Sequence, residues 1–382
     1  MSYELSEEHE AFRAVVADFA RTEVAPHAER WDRERTFPLD AVLTMGKLGY
    51  FGLVFPAEWG GGDGDFTSLC VAIEEIGRVD QSLGITLSAG VGLGASPIFR
   101  FGTEEQKHRW LPDMVAGRAL GAFGLTEPDG GSDAGATKTR AVFDEASDHW
   151  RLNGAKAFIT NSGTPITSVV TVTARTQDRS ISSFIVPSGT PGLVVEPAYA
   201  KLGWHASDTH GLALDDCDVP ADHLLGQQGR GLSNFLAVLD DGRIAIAALA
   251  LGLARACLDL AVDYARQRQA FGAPIGRFQG LAFPLADVAV AVENARNLVY
   301  KAAWLKDQGR PFSQAAAMAK LYCTETAVTS TRVATQVFGG SGFMDDSAVA
   351  RFYRDAKILE IGEGTSEVQR LVISRGLGLP VG

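Results

Sequence analysis

The chain has 382 residues, of which 46% are hydrophobic and 21% are charged, and its formal net charge at pH 7 is −11. This length exceeds one average domain, so we expect a globular protein of two or three units with ample core material. The acidic balance argues against nucleic-acid binding and offers no cationic surface to an anionic membrane.

The four cysteines are far apart and form no Cys-x-x-Cys pair, which favours reduced structural thiols. The longest apolar run, residues 244–254, is too short to span a bilayer. The first residues are acidic, whereas secretory and mitochondrial presequences are basic or apolar. We therefore expect a cytoplasmic protein with no membrane and no nucleic-acid partner.

Residues 1–118 are predicted to form an N-terminal helical domain. Ser6 can cap a helix with an acidic first turn, and Phe12, Val15 and Phe19 then recur at helical spacing to mark one buried face. Further helices are predicted through residues 74–76 and over residues 103–110.

Residues 119–228 are predicted to form a small middle domain, an antiparallel β-domain inserted between helical parts. Asn153-Gly154 lies between two apolar segments and predicts a hairpin turn. Short β-branched runs punctuated by Gly and Pro predict the other strands, at residues 169–174, 182–186, 192–195 and 211–214.

Residues 229–382 are predicted to be helical again and to form a C-terminal four-helix bundle. An apolar stripe at spacings of three and four residues predicts core or subunit interface rather than a cofactor site. Its members are Leu281, Leu285, Val288, Val292, Ala295 and Val299. The predicted fold class is therefore α+β.

Several nucleotide and catalytic signatures are absent from the sequence. Residues 90–95 formally fit a dinucleotide fingerprint, but they precede Pro97 and lack a βαβ context, so we expect no nicotinamide cofactor. The sequence has no Walker motif, no Gly-x-Ser-x-Gly elbow and no His-Glu-x-x-His helix, and we predict no metal site.

Near the C-terminus an acid, Glu363, stands between Gly362 and Gly364. Glycines let the backbone bend sharply, so the carboxylate can be offered to a pocket. A carboxylate in an apolar cleft has a raised pKa and can act as a general base. Taken alone, this tripeptide is more simply interpreted as a solvated turn.

Four separated segments, followed by the Glu363 segment, together resemble the acyl-CoA dehydrogenase family across essentially the whole chain. They are residues 123–133, 156–161, 266–279 and 336–343. The resemblance implies non-covalent FAD, an acyl-CoA substrate, electron-transferring flavoprotein as the acceptor, and a homodimer or homotetramer.

The resemblance also assigns FAD contacts. One side of the flavin and its phosphates would be lined by Phe123, Leu125, Thr126 and Ser132, and the other side by Phe158 and Thr160. The alternative for Phe158 is a core residue of a strand. The ADP half would be held by a neighbouring subunit through Arg268, Phe271, Gln279, Gln336 and Gly340, with Thr365 and Glu367 also meeting the cofactor.

The implied reaction is α,β-dehydrogenation of an acyl-CoA thioester to the trans-2-enoyl-CoA. Glu363 would remove the pro-R α-proton while a hydride leaves the β-carbon for flavin N5. The resemblance implies that the Glu363 backbone N–H and a ribityl hydroxyl of FAD polarise the thioester carbonyl. Some relatives place the base on the helix that we expect to begin near residue 239, where Gly242 cannot act.

The expected substrate contacts are Ser132, Asp240, Arg243, Gly362 and Gly364. The alternative for Arg243 is a solvated charge in the first turn of its helix, where the helix dipole disfavours it. Many relatives have Tyr where this chain has Gly362, so we hypothesise a branched, cyclic or bulky acyl group. The alternative is that neighbouring side chains refill the gap.

Two other functions are compatible with this fold. One is a flavin-dependent acyl-CoA oxidase or monooxygenase, and the other is an inactive acyl-CoA-binding scaffold. Glu363 argues against the monooxygenase and the scaffold, and the short segment after residue 375 argues against the oxidase.

Overall fold

The computed structural model describes residues 3–176 and 180–381, which form a helical part, a sheet and a second helical part in chain order. This arrangement confirms the predicted α+β fold class. The exact domain boundaries remain predictions.

The N-terminal part consists of short helices. They are α1 (Glu7–Phe19), α2 (Ala25–Glu34), α3 (Leu39–Lys47), α4 (Phe66–Gly77), α5 (Gln81–Ala89), α6 (Ser96–Phe101) and α7 (Glu104–Val115). Ser6 caps α1 as predicted, by accepting a hydrogen bond from the backbone N–H of His9. The Gly-rich residues Gly90–Ala95 form a π-helical link between α5 and α6, so they are not a nucleotide loop.

One predicted core position in α1 is wrong. Val15 is 58% exposed, whereas its neighbour Val16 is fully buried with Phe19. The buried face of α1 is therefore rotated by about one residue from the predicted face, because Phe12, Val16 and Phe19 also recur at helical spacing.

Val16→Ala should lower the free energy of unfolding by about 2 kcal/mol, since it removes two buried methyl groups and leaves a cavity. Val15→Ala is the matched control and should stay within about 0.5 kcal/mol of the parent. Urea denaturation of both variants measures the difference. Equal losses would contradict this assignment of the buried face.

The middle part is built on one sheet. Its strands are β1 (Leu120–Gly124), β2 (Arg140–Asp144), β3 (His149–Thr160), β4 (Thr167–Arg175), β5 (Ile181–Pro187), β6 (Leu193–Val195), β7 (Thr209–Pro220) and β8 (Leu224–Leu225). The strand order is β6-β7-β3-β2-β4-β5-β8, and β1 also pairs with β4. The pairings are antiparallel except for β1 with β4 and a single β2–β4 pair, which are parallel.

The hairpin predicted at Asn153-Gly154 is wrong, because both residues lie inside the long strand β3. The chain reverses earlier, between β2 and β3, where Asp148 has a left-handed φ of 57°. The register of β3 against β7 shifts between Leu152 and Gly154. A Cβ at Gly154 would lie 2.5 Å from Thr139 Oγ1, so this glycine permits close backbone approach rather than a turn.

The C-terminal part contains the longest helices. They are α8 (Gly231–Gln267), α9 (Gln279–Asp307), α10 (Ser313–Phe338), α11 (Ala348–Leu359) and α12 (Ser366–Gly376), with a small hairpin β9 (Gln269–Ala270) and β10 (Ala273–Pro274) after α8. The predicted stripe in α9 is confirmed as core. Leu285, Val288, Val292, Ala295 and Val299 are buried, and Leu281 packs against them.

Helices α4 and α8 join the two helical parts into one core. A Cβ at Gly252 would lie 2.2 Å from the carbonyl oxygen of Glu74, so the backbones touch at that point. Beside this contact, Arg255 of α8 pairs with Glu74 and with Glu75 of α4. Buried charges that are paired in this way fix the relative position of the two helices.

Two segments, Gln81–Phe101 and Gly231–Gln267, are long and apolar enough to cross a membrane by length and composition. In both, 78% of the most apolar window is buried inside the protein, as in the core helices of folded domains.

Candidate active site

Glu363 lies in the turn between α11 and α12. Its φ is 51° and that of Gly364 is 89°, so two successive residues have left-handed backbone conformations. The carbonyl oxygen of Gly364 accepts hydrogen bonds from Lys320 Nζ and from Gln369 Nε2, both at 2.8 Å. Side chains of α10 and α12 therefore hold the turn that aims the carboxylate inward.

The Glu363 carboxylate is in an unusual electrostatic setting. Its Oε2 is buried and has no hydrogen-bond partner in the part of the chain that the structure describes. Burial raises the pKa of Glu363 to about 7, although the positive charges of Lys320 and Arg243 oppose the rise. A carboxyl with a pKa near neutrality is suited to accept a proton.

Gly242 on α8 faces this carboxylate. A Cβ at Gly242 would lie 1.9 Å from Glu363 Oε2, so a glycine is required for the carboxylate to occupy its position. Gly242, the position where some relatives were expected to carry the base, therefore lies in direct contact with Glu363.

The predicted setting of Arg243 needs two corrections. Helix α8 begins at Gly231 rather than near residue 239, so Arg243 lies well inside the helix. The residue is 7% exposed, and its side chain pairs with Asp240, which also accepts a hydrogen bond from Ser313 Oγ at 3.1 Å. Arg243 is therefore not a solvated charge in a first turn.

Gly242 also lines a cavity of about 560 Å³. It lies between α4, the segment that runs from α5 to α6, α8 and the C-terminal end of α9. Its apolar walls include Leu69, Val91, Phe99 and Ala245. The volume falls within the range of small-molecule sites. Gly242 therefore lines a ligand-sized space and also faces the Glu363 carboxylate.

The predicted flavin residues of β1 and its following loop lie against α8. Phe123 stacks on Phe235 with ring centroids 4.0 Å apart, and Leu125 is buried in the same cluster. Thr126 is half-buried and Ser132 is exposed. The same cluster includes Leu93, which follows the cavity residues Val91 and Gly92.

Phe158 is exposed, so the alternative that it is a core residue is wrong. It lies where the register of β3 against β7 shifts, its φ is 60°, and its ring is 66% exposed. The ring centroid of Tyr199 is 5.2 Å away, and Thr160 follows, half-buried, at the end of β3. An exposed aromatic ring on a strained backbone is expected where a ligand covers it.

The predicted ADP residues lie elsewhere. Arg268, Phe271, Gln279, Gln336 and Gly340 are all exposed at the C-terminal end of α8, and Phe271 is 95% exposed. Stacking of Tyr264 on Phe338, with centroids 4.2 Å apart, brings the end of α10 to this place. Since α8 rises about 1.5 Å per residue, Phe235 and Arg268 are separated by about 50 Å.

The remaining predicted residues surround the turn. Thr365 caps α12 by accepting a hydrogen bond from Val368 N at 3.3 Å, and Glu367 is exposed. Gly362 is half-buried and is absent from the cavity lining; a Cβ there would meet only the Ile358 carbonyl oxygen, at 3.4 Å.

Sequence reasoning missed several residues of the site. Lys156 is buried and donates to Glu127 Oε1 at 2.8 Å and to the Leu125 carbonyl oxygen at 3.4 Å. These hydrogen bonds hold the loop after β1, which is the predicted flavin loop. Both partners lie in segments already singled out for their resemblance. No sequence motif pointed to a role for Lys320 or Gln369 in holding the Glu363 turn.

Comparison with family models gives three matches that cover most of the chain. They are the acyl-CoA dehydrogenase N-terminal domain at residues 6–118, the middle domain at residues 122–217 and the C-terminal domain at residues 229–378.

Two curated relatives match along nearly their whole length. A probable acyl-CoA dehydrogenase of Bacillus subtilis (strain 168) is 49% identical over 99% of this chain and 100% of its own. A short-chain specific acyl-CoA dehydrogenase of Clostridium acetobutylicum is 45% identical over 98% of this chain and 99% of its own.

Solved structures have the same fold. Butyryl-CoA dehydrogenase from Megasphaera elsdenii has a TM-score of 0.95 at 41% identity and covers 99% of this chain and 100% of its own. A chain from the structure of the electron transferring flavoprotein of Acidaminococcus fermentans has a TM-score of 0.95 at 43% identity, with 99% of both chains covered. A glutaryl-CoA dehydrogenase from Mycobacterium smegmatis in complex with FADH2 has a TM-score of 0.93 at 32% identity, covering 98% of this chain and 95% of its own.

Proposed function

The chain belongs to the acyl-CoA dehydrogenase family, and we propose that Glu363 is the base that removes the α-proton of its acyl-CoA substrate. The observation that carries this proposal is the buried, unpartnered Oε2 of Glu363, which faces the cavity-lining residue Gly242. An acid in that place can reach a thioester whose acyl group enters the cavity.

FAD is the cofactor, and residues of this chain fit it. The exposed ring of Phe158 offers an apolar face. The loop after β1 is held by Lys156 and by a hydrogen bond from Ala157 N to the Thr126 carbonyl oxygen at 2.9 Å. When bound, FAD would supply the acceptor, at flavin N5, for the hydride that leaves the β-carbon.

The protein's own part in the reaction is to hold and move a proton. The α-proton of a thioester is weakly acidic, so the carbonyl must be polarised as enolate charge develops. We assign this to the backbone N–H of Glu363, whose orientation is fixed by the Lys320 and Gln369 contacts to Gly364. A substrate that excludes water from the cavity would raise the affinity of the carboxylate for the incoming proton.

A second subunit is part of the proposal. The ADP-binding residues around Arg268 and the flavin residues around Phe123 lie near opposite ends of α8, farther apart than one FAD molecule extends. One FAD therefore requires the Phe123 group of one subunit and the Arg268 group of another. We propose a homodimer, or a homotetramer built from two such dimers.

Arg268→Ala should lower bound FAD per subunit by about tenfold in dilute protein and weaken the dimer, because a guanidinium that pairs with phosphate is lost. Arg266→Ala is the matched control, since Arg266 is an exposed arginine at the end of α8 that pairs loosely with Asp263. Flavin absorbance and sedimentation velocity measure both properties. Unchanged flavin content in Arg268→Ala would remove this residue from the site.

The function is tested by adding acyl-CoA thioesters anaerobically to the purified protein and recording the visible flavin spectrum. Bleaching by butyryl-CoA or another thioester supports the dehydrogenation, and reoxidation by electron-transferring flavoprotein supports that acceptor. Rapid oxygen consumption would identify an oxidase instead.

Isobutyryl-CoA and cyclohexanecarboxyl-CoA test the effect of Gly362. If the enzyme turns over both of them no faster than butyryl-CoA, the hypothesis of a branched or bulky acyl group is contradicted.

A further inference from the structure

The cavity lined by Gly242 has many polar groups in its wall. Beyond Gly242 and its apolar walls, it is lined by four carboxylates, two cations and two serines. They are Asp63, Asp65, Asp241, Asp307, Arg100, Lys306, Ser88 and Ser96. Which of these groups is paired within the protein, and which is not, indicates what the wall can bind.

The two cations share one carboxylate, that of Asp241. Asp241, which is 6% exposed, receives Lys306 Nζ at 2.8 Å and an Arg100 guanidinium N–H at 3.3 Å. Arg100 also donates to the Ala237 carbonyl oxygen at 3.0 Å. Both cations are therefore already engaged within the protein, and the carboxylates of the wall outnumber them by four to two.

The other three carboxylates are held by donors at the start of α4 and nearby. Asp307 accepts from the first two backbone N–H groups of α4, at 2.7 and 3.1 Å. Asp65 accepts from Ser68 N at 2.8 Å and contacts the His9 ring nitrogen at 3.0 Å. Asp63 accepts from a backbone N–H at 3.0 Å. The wall thus keeps an excess of negative charge, which disfavours an acyl group that ends in a carboxylate.

A neutral hydroxyl group fits this wall better. Ser88 is 2% exposed, and its Oγ has no hydrogen-bond partner within residues 3–176 and 180–381. Ser96 Oγ donates to the Val91 carbonyl oxygen at 2.9 Å, which leaves its oxygen able to accept. Buried hydroxyls are nearly always hydrogen-bonded, so the orphaned Ser88 indicates a polar group that the ligand supplies.

We propose that the substrate is an acyl-CoA whose acyl chain carries a neutral hydroxyl group, which Ser88 and the polar wall bind. This inference rests on the proposed function, because it assumes that the acyl group enters the cavity beside Glu363. The hydroxyl is unchanged by the reaction. One proton leaves the α-carbon for Glu363, and one hydride, with its two electrons, leaves the β-carbon for the cofactor.

The test compares hexanoyl-CoA, 4-, 5- and 6-hydroxyhexanoyl-CoA and adipoyl-CoA with the FAD-loaded enzyme. We expect kcat/KM for at least one hydroxyhexanoyl-CoA to exceed that for hexanoyl-CoA by about tenfold, the effect of one hydrogen bond. Adipoyl-CoA should be poorer than hexanoyl-CoA. The inference would be overturned if hexanoyl-CoA were turned over as well as every hydroxylated substrate, or if the enzyme preferred adipoyl-CoA. Either result would leave the proposed function standing. Failure of every thioester to reduce the flavin would contradict the proposed function itself.

Ser88→Ala should bring the ratio of kcat/KM between the best hydroxyhexanoyl-CoA and hexanoyl-CoA close to one. Ser82→Ala is the matched control, because Ser82 is a buried serine of the same helix that does not line the cavity, and it should leave the ratio unchanged. A ratio that stays at the parent value in Ser88→Ala, with full flavin content, would overturn the role of Ser88.

Discussion

Glu363→Gln is expected to keep FAD and to bind acyl-CoA, yet to reduce its flavin about 10³- to 10⁴-fold more slowly than the parent. The amide has nearly the same shape as the carboxyl, so the turn held by Lys320 and Gln369 should persist. The amide cannot accept the α-proton, and the three heavy atoms nearest a Cβ at Gly242 all belong to Glu363. Anaerobic stopped-flow mixing with a thioester measures the rate of flavin reduction.

Glu360→Gln is the matched control for this variant. Glu360 lies on the same turn, but its carboxylate points to Lys357 Nζ at 2.6 Å and not to Gly242. Its loss should leave flavin reduction close to the parent rate. Complete flavin reduction by Glu363→Gln at the parent rate would show that Glu363 is not the base.

If Glu363 is the base, its pKa sets the direction in which kcat/KM changes with pH. Burial places the pKa of Glu363 at about 7, and only the ionised carboxylate can accept a proton. In the free enzyme, kcat/KM should therefore rise with pH up to about 7 and fall tenfold for each unit below it. Glu363→Gln should lose this limb of the profile.

Sequence periodicity predicted elements well where one face of a long helix is buried. The α9 stripe from Leu285 to Val299 is an example, because its spacing agrees with burial against α8 and α10. It predicted short elements less well. In α1 the stripe of Phe12, Val15 and Phe19 is compatible with two rotations of the helix, and in the folded protein α1 packs against α4 with Val16 buried.

The Asn153-Gly154 error has a different cause. The dipeptide is typical of a two-residue hairpin, but here the glycine is needed because Thr139 comes within 2.5 Å of its missing Cβ. That contact joins residues distant in sequence and has no local signal. The sequence alone could not separate a glycine needed for a turn from a glycine needed for close packing.

In the candidate site, too, local sequence features were predicted and contacts between distant residues were not. The acid and its flanking glycines were found because the motif is local. The residues that orient them were not, since Lys320 reaches Gly364 from another helix and Lys156 reaches Glu127 across the sheet. The polar cavity wall also depends on tertiary contacts, because Arg100, Asp241 and Lys306 come from three separate helices.

Gly242→Ala is expected to reduce the rate of flavin reduction by about 10² or more while the protein stays folded. Alanine favours a helix over glycine by about 1 kcal/mol, so α8 itself should not be weakened. The new methyl group would lie 1.9 Å from Glu363 Oε2, and the carboxylate must move away from the cavity edge. A displacement of about 1 Å at the reacting atoms costs about 10² in rate. Stopped-flow flavin reduction and the flavin content together measure the effect.

The control for this variant is the double variant Gly242→Ala/Glu363→Ala, compared with Glu363→Ala alone. If Gly242→Ala acts by displacing the carboxylate, it should cause no further loss once that carboxylate is absent, so the two effects should be strongly non-additive. If instead the methyl group blocks the acyl chain in the cavity, it should weaken acyl-CoA binding equally in both backgrounds. Additive losses in the rate of flavin reduction would show that the contact between Gly242 and Glu363 does not position the base.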